Sequence, residues 1–251
     1  MNEEIQNILI ATPVRNRAWV LPYFITSILN LSYPKSNLGL LFIINNSTDD
    51  SENLINKMYN TYKNDYRSFD IVNKDYGNIA QDTRVGSRRH IYPVLADIRN
   101  LIKDYFLKST YNYLFAIDSD IIPIKSILNE LIGLRAMAAA AVIYNDKGRG
   151  IVTNTMEIQT IHPLVIKHIN LSKVGNIYKA DLSGAVALYK KALFQKGFMY
   201  KDSPQGEDLA FAQQLKEAKI SWVCKRHLAY HIMVQENLDL YLKEGDKVFA
   251  Y

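Results

Sequence analysis

Short, continuous apolar runs alternate with amphipathic segments through the first half of this 251-residue chain. Runs with no polar alternation are typical of strands that are buried on both faces of a sheet. The predicted strands cover residues 7–12, 38–45, 69–72 and 113–117, and the predicted helices cover residues 19–31, 51–62 and 92–107. Strands and helices in this order predict a parallel sheet with helices on both faces.

The second half of the chain has shorter apolar pieces separated by turns. They predict strands at 138–144, 150–155, 177–180, 183–189, 220–224 and 227–233, a turn at 146–150, and a helix at 206–218. A mixed sheet that extends the parallel core explains them better than a separate domain. The fold class is therefore α/β, with a single Rossmann-like, mostly parallel mixed sheet in one domain over residues 1–251.

Composition limits the classes of function. The net charge of +5 is compatible with a phosphorylated substrate and with peripheral association with an anionic membrane, and it does not indicate nucleic acid. A single cysteine, Cys224, allows no intrachain disulfide and reads as a packed thiol in a reducing cytoplasm. The opening residues 1–5 are too polar for a signal peptide, and no apolar run approaches the roughly 20 residues of a membrane span.

Two acids, Asp118 and Asp120, follow the predicted strand at residues 113–117. An unpaired buried carboxylate is costly, so a partner is expected. Mg²⁺ or Mn²⁺ is the favoured partner, because hard cations use one or two carboxylates and leave positions for water and phosphate oxygens. The alternative is a helix cap for the residues from 124 onward.

Polar residues also follow the first two predicted strands. They are Thr12, Pro13, Arg15 and Arg17 after the first strand, and Asn45 and Asn46 after the second. Ligands bind beyond the carboxyl ends of parallel strands, so these groups are expected at one edge with Asp118. The arginines are candidates for an anionic nucleotide and the amides for a nucleobase edge. The alternative for residues 12–17 is a lead-in to the helix, and residues 47–51 can cap the next helix.

Acids and histidines in the second half are candidates for further functional roles. Glu207 and Asp208 open the predicted helix at 206–218. A carboxylate there can take the proton of a hydroxyl group, although acids in the first turn of a helix also interact favourably with the helix dipole. His231 ends a predicted strand and is a candidate metal ligand or a structural histidine. Arg99 is a candidate donor contact or a surface residue, and the basic segment 84–90 is a candidate loop over a diphosphate or a solvated loop.

Taken in order, these segments resemble the A-fold nucleotide-sugar glycosyltransferases, especially family 2, over about residues 7–232. The motifs are ILIATPVRNRAWVLPYF, LLFIINNSTDDS, FAIDSDIIP, DLSGAVALYKKALF and GEDLAFAQQLKEAKI. The resemblance implies a nucleotide-sugar and metal half at 1–123 and an acceptor half at 124–251. It implies Asp118, Ser119 and Asp120 at the donor and metal, Gly184 near the sugar, Asp208 as base and Glu207 as its support. Asn45-Asn46 replaces the family's usual acid pair.

The resulting hypothesis is metal-dependent transfer of a sugar from a UDP- or GDP-linked donor to a hydroxyl of a glycan, lipid or protein. Two other classes stay open. Nucleotidyl transfer also uses paired acids on a parallel sheet, but it usually needs a glycine-rich loop, and residues 12–17 contain no glycine. A non-catalytic module that binds a nucleotide sugar or glycan would show no turnover.

Overall fold

The computed structural model describes residues 5–77, 91–145, 152–245 and 247. The strands of the described residues are β1 Ile8–Val14, β2 Leu38–Asn45, β3 Ser68–Lys74, β4 Tyr113–Ile117, β5 Ile121–Pro123, β6 Ala138–Ala141, β7 Thr155–Thr160, β8 Val165–His168, β9 Ile177–Ala180, β10 Leu182–Ser183, β11 Val186–Lys190, β12 Trp222–Lys225 and β13 Ala229–His231. The α-helices are α1 Leu21–Leu29, α2 Ser51–Tyr62, α3 Tyr92–Lys108, α4 Ile127–Gly133, α5 Lys191–Phe194, α6 Glu207–Glu217 and α7 Gln235–Glu244.

In the described part of the chain, eight strands form one sheet in the order β3-β2-β1-β4-β11-β6-β12-β9. Strands β3, β2, β1 and β4 are parallel, and β6 is parallel to β12. Strand β11 is antiparallel to both β4 and β6, and β9 is antiparallel to β12. The predicted mixed α/β sheet is confirmed, with its parallel block in the first half of the chain.

Side chains of β1 alternate between the two faces of the sheet, which explains why the whole strand is apolar. Ile8 and Ile10 pack in one buried cluster with Phe24 of α1, whereas Leu9 packs in the other with Ile102 of α3. Every described side chain of β1 except that of Pro13 is buried. Helices therefore cover both faces, as the continuous apolar runs predict.

Several predicted strands have different bounds in the structure. The run predicted at 183–189 is divided into β10 and β11, because Ala185 adopts a left-handed backbone with φ of 67°. Of the run predicted at 150–155, the described residues 152–155 contribute a bridge at Thr153 and the first residue of β7. The predicted turn at 146–150 and the predicted loop at 84–90 lie outside the described residues.

Two smaller sheets accompany the main sheet in the described residues. Strand β5 pairs with β13, and strands β10, β7 and β8 form a small antiparallel sheet. Cys224 of β12 is fully buried, as predicted for a packed thiol. No helix among the described residues is both long enough and apolar enough to cross a membrane.

Candidate active site

The carboxyl ends of β1, β2 and β4 meet at one edge of the sheet, since the three strands are parallel. This edge carries Thr12 within β1, Asn45 at the end of β2, and Asp118 directly after β4. Thr12 and Asn45 are 1% and 5% exposed, and the Thr12 hydroxyl has no hydrogen-bond partner among the described residues. Pro13 lies within β1, and Arg15 follows it in a half-buried position.

Asp118 and Asp120 are fixed by backbone hydrogen bonds on both sides. The Asp118 amide donates to the Ala185 carbonyl at 2.8 Å, and the Ile121 amide donates to the Asp118 carbonyl at 3.1 Å. The Ile232 amide donates to the Asp120 carbonyl at 2.9 Å. Ser119, between the two acids, is 4% exposed. These hydrogen bonds hold the turn that carries both carboxylates at the end of β4.

His231 reaches the acid pair through the pairing of β5 with β13. In this register His231 lies opposite Ile121, next to Asp120. Its Nε2 atom is 3.7 Å from Oδ1 of Asp120, and its Nδ1 atom is 3.0 Å from Oδ1 of Asn145. The histidine that the sequence marks as a candidate metal ligand is therefore next to a candidate metal-binding carboxylate.

The second acid pair opens helix α6 and divides into one buried and one accessible carboxylate. The side chain of Glu207 is 5% exposed and that of Asp208 is 34% exposed. Gly206, at the helix start, has φ of 113°, a conformation that glycine adopts without steric cost. The carboxylate of Asp208 is therefore accessible from the site, whereas that of Glu207 is enclosed by the protein.

Arg99 of α3 joins the two acid pairs. Its Nη2 atom lies 3.6 Å from Oδ1 of Asp118, and its Nε atom lies 3.1 Å from Oε1 of Glu207 and 3.3 Å from Oδ1 of Asp208. Its guanidinium also lies over the ring of Tyr200, 5.8 Å from the centroid. The arginine predicted as a donor contact therefore contacts three acids of the protein, and its side chain is only 11% exposed.

Burial and this network shift the pKa values of the site. Burial raises the pKa of Asp118 to about 6, since the Arg99 charge only partly offsets it and the nearby acids add to it. Burial, followed by the charge of Asp208, raises the pKa of Glu207 against the opposing effect of Arg99. Burial works to lower the pKa of Arg99, but Asp208, Asp118 and Glu207 outweigh it and raise that pKa well above its ordinary value.

Arg17 contacts Asp120, the second acid after β4. Its Nε and Nη2 atoms lie 3.2 Å and 3.1 Å from Oδ2 of Asp120. The sequence indicates Arg17 only as a residue that could reach a nucleotide, because nothing in its local pattern shows a partner 103 positions away. Four carboxylates and two guanidinium groups thus form one connected charged site.

Gly184 lies directly against Asp208. A Cβ atom added at Gly184 would fall 2.5 Å from Oδ2 of Asp208, closer than any side chain tolerates. A larger residue at this position would therefore require the Asp208 carboxylate to move.

Asn154 holds the backbone around Gly184, and sequence reasoning missed it. Its amide nitrogen contacts the carbonyls of Ala141 and Gly184 at 3.0 Å and 2.9 Å, and the Ser183 hydroxyl at 3.1 Å. Its amide oxygen accepts from the Ile143 amide at 2.9 Å. Only the burial of a polar residue in a strand-like run could have signalled it, since all four partners are distant in sequence.

Asn46 is placed differently from Asn45. Its side chain contacts Oδ1 of Asp75 and accepts from the backbone amide of Tyr76 at 2.9 Å. Its own backbone has φ of 49°. Asn46 therefore supports the turn after β3 with its own hydrogen bonds, and the exposed carboxylate of Asp75 is the polar group presented there.

The side chains of Asp118, Asp120 and His231 have the chemistry to hold a divalent cation. Oδ1 of Asp118 is buried and has no hydrogen-bond partner among the described residues. With Asp120 and His231 it supplies the hard oxygen and imidazole donors that suit Mn²⁺ or Mg²⁺. No group of three or more His, Cys, Asp or Glu side chains in the described ranges is placed to hold a metal ion by itself.

Comparison with known proteins supports the fold assigned from this geometry. The family model described as Anp1 matches residues 1–148 of the chain. No curated protein sequence matches it.

The similar solved structures include one protein from S. aureus and one from Pyrobaculum calidifontis. TarS residues 1–349 from S. aureus in complex with UDP has a TM-score of 0.56 and 14% identity, over 92% of this chain and 62% of that one. Mannosyltransferase PcManGT from Pyrobaculum calidifontis, in complex with GDP-Man and Mn²⁺, has a TM-score of 0.59 and 12% identity, over 88% of this chain and 55% of that one. The chain thus spans less than two thirds of the length of either structure. At such identities the likeness shows the fold, and the predicted glycosyltransferase A-fold is confirmed.

Proposed function

Because the chain belongs to the Anp1 family, which is glycosyltransferase-related, we propose that it transfers a sugar from a nucleoside diphosphate sugar to an acceptor hydroxyl. The observation that carries this proposal is the position of Asp208. Its carboxylate is 34% exposed and lies 3.3 Å from Arg99, which also lies 3.6 Å from Asp118. In this proposal an accessible base and a diphosphate-side acid share one buried guanidinium, so the acceptor and the donor would lie next to each other.

The donor lies, in this proposal, at the carboxyl edge of the parallel strands. Thr12, Pro13, Arg15 and the end of β2 bound the nucleotide, within the half formed by residues 1–123. The UDP and UDP-GlcNAc bound by TarS and the GDP-Man bound by PcManGT are the donor types to test first. Asp75, supported by Asn46, adds a carboxylate at the base-binding end that can accept hydrogen bonds from a nucleobase.

Asp118, Asp120 and His231 would hold Mn²⁺ or Mg²⁺ beside the diphosphate. When bound, the cation neutralises the charge that builds on the leaving diphosphate. The charges of the site support this assignment, because four carboxylates face two guanidinium groups and leave two negative charges when all four are ionised. PcManGT, a protein of the same fold, contains Mn²⁺ together with its donor.

Asp208 takes the acceptor proton in the proposed reaction. The acceptor oxygen forms a bond to the anomeric carbon, the bond from that carbon to the diphosphate breaks, and the hydroxyl proton moves to the Asp208 carboxylate. Arg99 and Glu207 hold Asp208 in position, and Gly184 leaves the space that its Oδ2 atom occupies. The acceptor, a glycan, lipid or protein hydroxyl, enters from the half formed by residues 124–251.

Thermal unfolding with UDP, GDP, UDP-GlcNAc and GDP-mannose, each with and without Mn²⁺, tests donor binding. A ligand that binds only the folded state raises the unfolding temperature by mass action, so one donor class should do so more strongly with Mn²⁺. The stabilising donor is then assayed for hydrolysis and transfer to sugar acceptors. If no nucleotide changes the unfolding temperature, the proposal is wrong. Binding without any turnover favours the non-catalytic module.

A further inference from the structure

Arg17 grips the carboxylate that the proposed metal site needs. Two of its nitrogens contact a single oxygen, Oδ2 of Asp120, at 3.2 Å and 3.1 Å. Its third nitrogen, Nη1, lies 3.4 Å from the carbonyls of Arg15 and Asn16. The side chain is 31% exposed, compared with 13% for that of Asp120. The guanidinium thus lies at the mouth of the site, with its partner further inside.

The backbone of Arg17 is fixed although its side chain is at the surface. Its amide donates to Oγ of Ser51 at 2.8 Å, and the Ala18 amide donates to Oδ2 of Asp49 at 2.9 Å. The Asn16 amide donates to Oγ of Ser47 at 3.2 Å. These bonds tie the loop after β1 to the start of α2. A change in the partner of Arg17 therefore requires only rotation of its side chain, which is fast for a partly exposed residue.

We propose that Arg17 exchanges partners when the donor binds: it holds Asp120 in the unliganded protein and moves to the donor diphosphate when nucleotide and cation bind together. This inference rests on the proposed function and adds a donor-binding residue with two positions. A guanidinium fork fits a phosphate as well as a carboxylate, so the exchange replaces one charge-assisted pair with another. The released Oδ2 of Asp120 becomes available to the cation.

The exchange predicts that cation and nucleotide bind cooperatively. A cation alone has to displace Arg17 from Asp120 and leaves the guanidinium without an anionic partner. In the described ranges no group of three or more Asp, Glu, His or Cys side chains is placed to hold a metal ion by itself. A nucleoside diphosphate supplies both the new partner for Arg17 and oxygen ligands for the cation. Each ligand must therefore raise the affinity for the other by the same factor.

Binding measurements on Arg17→Gln and Arg17→Lys test the exchange without any assay of turnover. Mn²⁺ alone is titrated by electron paramagnetic resonance of the free ion, and GDP and UDP are titrated by calorimetry with and without Mn²⁺. For Arg17→Gln we expect Mn²⁺ alone to bind about tenfold more tightly and the preferred nucleotide to bind about tenfold more weakly, since one charge-assisted pair is removed from each side. Arg17→Lys should lie between wild type and Arg17→Gln in both titrations.

Arg67→Gln is the matched control, because it removes the same charge at an exposed position just before β3, at the opposite end of the parallel strands. It should leave both affinities unchanged. The inference is overturned if Arg17→Gln leaves the Mn²⁺ affinity within twofold of wild type, or if Arg17→Lys equals wild type in both titrations, which would reduce the effect to long-range charge. If wild type binds neither nucleotide under any condition, the proposed function fails, and the Mn²⁺ titration still decides whether Arg17 blocks Asp120.

Discussion

The two acid pairs of the site differ in which arginines they contact and in how deeply each acid is buried. Asp118 and Asp120 are separated by one residue at a strand end, and each faces a different arginine, Arg99 and Arg17 respectively. The acids of the second pair, Glu207 and Asp208, are adjacent in the first turn of α6 and share Arg99. In the proposed function the first pair receives a cation, whereas the second pair has one buried carboxylate and one exposed carboxylate.

This difference separates the chemical roles within the second pair. Glu207 is 5% exposed and contacts Arg99, so it stabilises the guanidinium from inside the protein. Asp208 is 34% exposed and contacts the same nitrogen from the open side. A base must reach its substrate, and a support must not exchange with water. The difference in exposure supports the proposed transfer of the proton to Asp208, with Glu207 in a positioning role.

Replacing Asp208 tests that assignment most strongly. Asp208→Asn keeps the shape and one hydrogen-bond acceptor toward Arg99 but cannot take a proton. We expect kcat for transfer to fall by about 10²–10⁴, the usual contribution of a general base, with donor affinity retained. Steady-state kinetics and donor calorimetry on the same preparation measure both quantities. Transfer within threefold of wild type would show that the two acid pairs do not divide the chemistry in this way.

Removing Arg99 tests whether one residue holds both pairs together. Arg99→Met leaves Asp118, Glu207 and Asp208 facing one another without their shared counter-charge. Breaking a buried ion pair from one side costs about 3–5 kcal/mol in the free energy of unfolding. Chemical denaturation measures this loss. Arg67→Met, at an exposed position, is the control and should change stability by no more than about 0.5 kcal/mol.

Arg99 also shows where inference from the sequence stops. Its position on a predicted helix before the acid pair suggested a donor contact, but its three partners include acids more than 100 positions along the chain. The apolar runs of β1, β2 and β4 could be predicted because burial on both faces leaves a local pattern. The bridging role of Arg99 leaves none, since it depends on how α3 and α6 pack against the same sheet.

The break between β10 and β11 has the same origin. The sequence predicts one strand through residues 183–189, and Ala185 is not a residue that favours φ of 67°. The break is held by distant groups: the Ala185 carbonyl accepts from Asp118, and Asn154 donates to the Gly184 carbonyl. Those hydrogen bonds join residues that are far apart in the sequence, so the local pattern does not show them.

The pH dependence of stability sharpens the contrast between Glu207 and Asp208. Burial, then the charge of Asp208, raise the pKa of Glu207 from its ordinary 4.5 to about 7. The folded protein thus binds the Glu207 proton more tightly than the unfolded chain does. Its contribution to stability is present in full below pH 4.5 and is lost as the pH rises through 7, a change on the order of 3 kcal/mol.

Glu207→Gln removes this titration while keeping an oxygen that can accept from Arg99. Denaturation at several pH values should therefore show a shallower decline between pH 4.5 and 7 than in wild type. Some decline remains, because the pKa of Asp118 is raised to about 6 by burial. An unchanged slope in Glu207→Gln would mean that Glu207 does not titrate as a buried acid, and its separation from Asp208 would lose its basis.

Gly184 tests the open side of Asp208 with the smallest change. In Gly184→Ala the new methyl group would fall 2.5 Å from Oδ2 of Asp208, so the carboxylate must move. We expect kcat to fall about tenfold, because even a small displacement of the Asp208 carboxylate worsens its alignment with the acceptor hydroxyl. Donor affinity should change less than kcat, because the new methyl group meets Asp208, and the hydrogen bond from the Asp118 amide is to the neighbouring Ala185 carbonyl. Rapid-mixing single-turnover measurements separate this loss from slow product release.

Gly133→Ala is the matched control, because a Cβ at that position meets nothing within 4 Å and the residue ends α4 away from the acids. It should leave kcat unchanged. If Gly184→Ala also leaves kcat unchanged, Oδ2 of Asp208 is free to move without consequence, and the accessible acid is not held in a reactive position. If Gly184→Ala instead weakens donor binding, the acceptor-side glycine acts on the donor side, and the division between the two acid pairs is less complete than their contacts with Arg17 and Arg99 indicate.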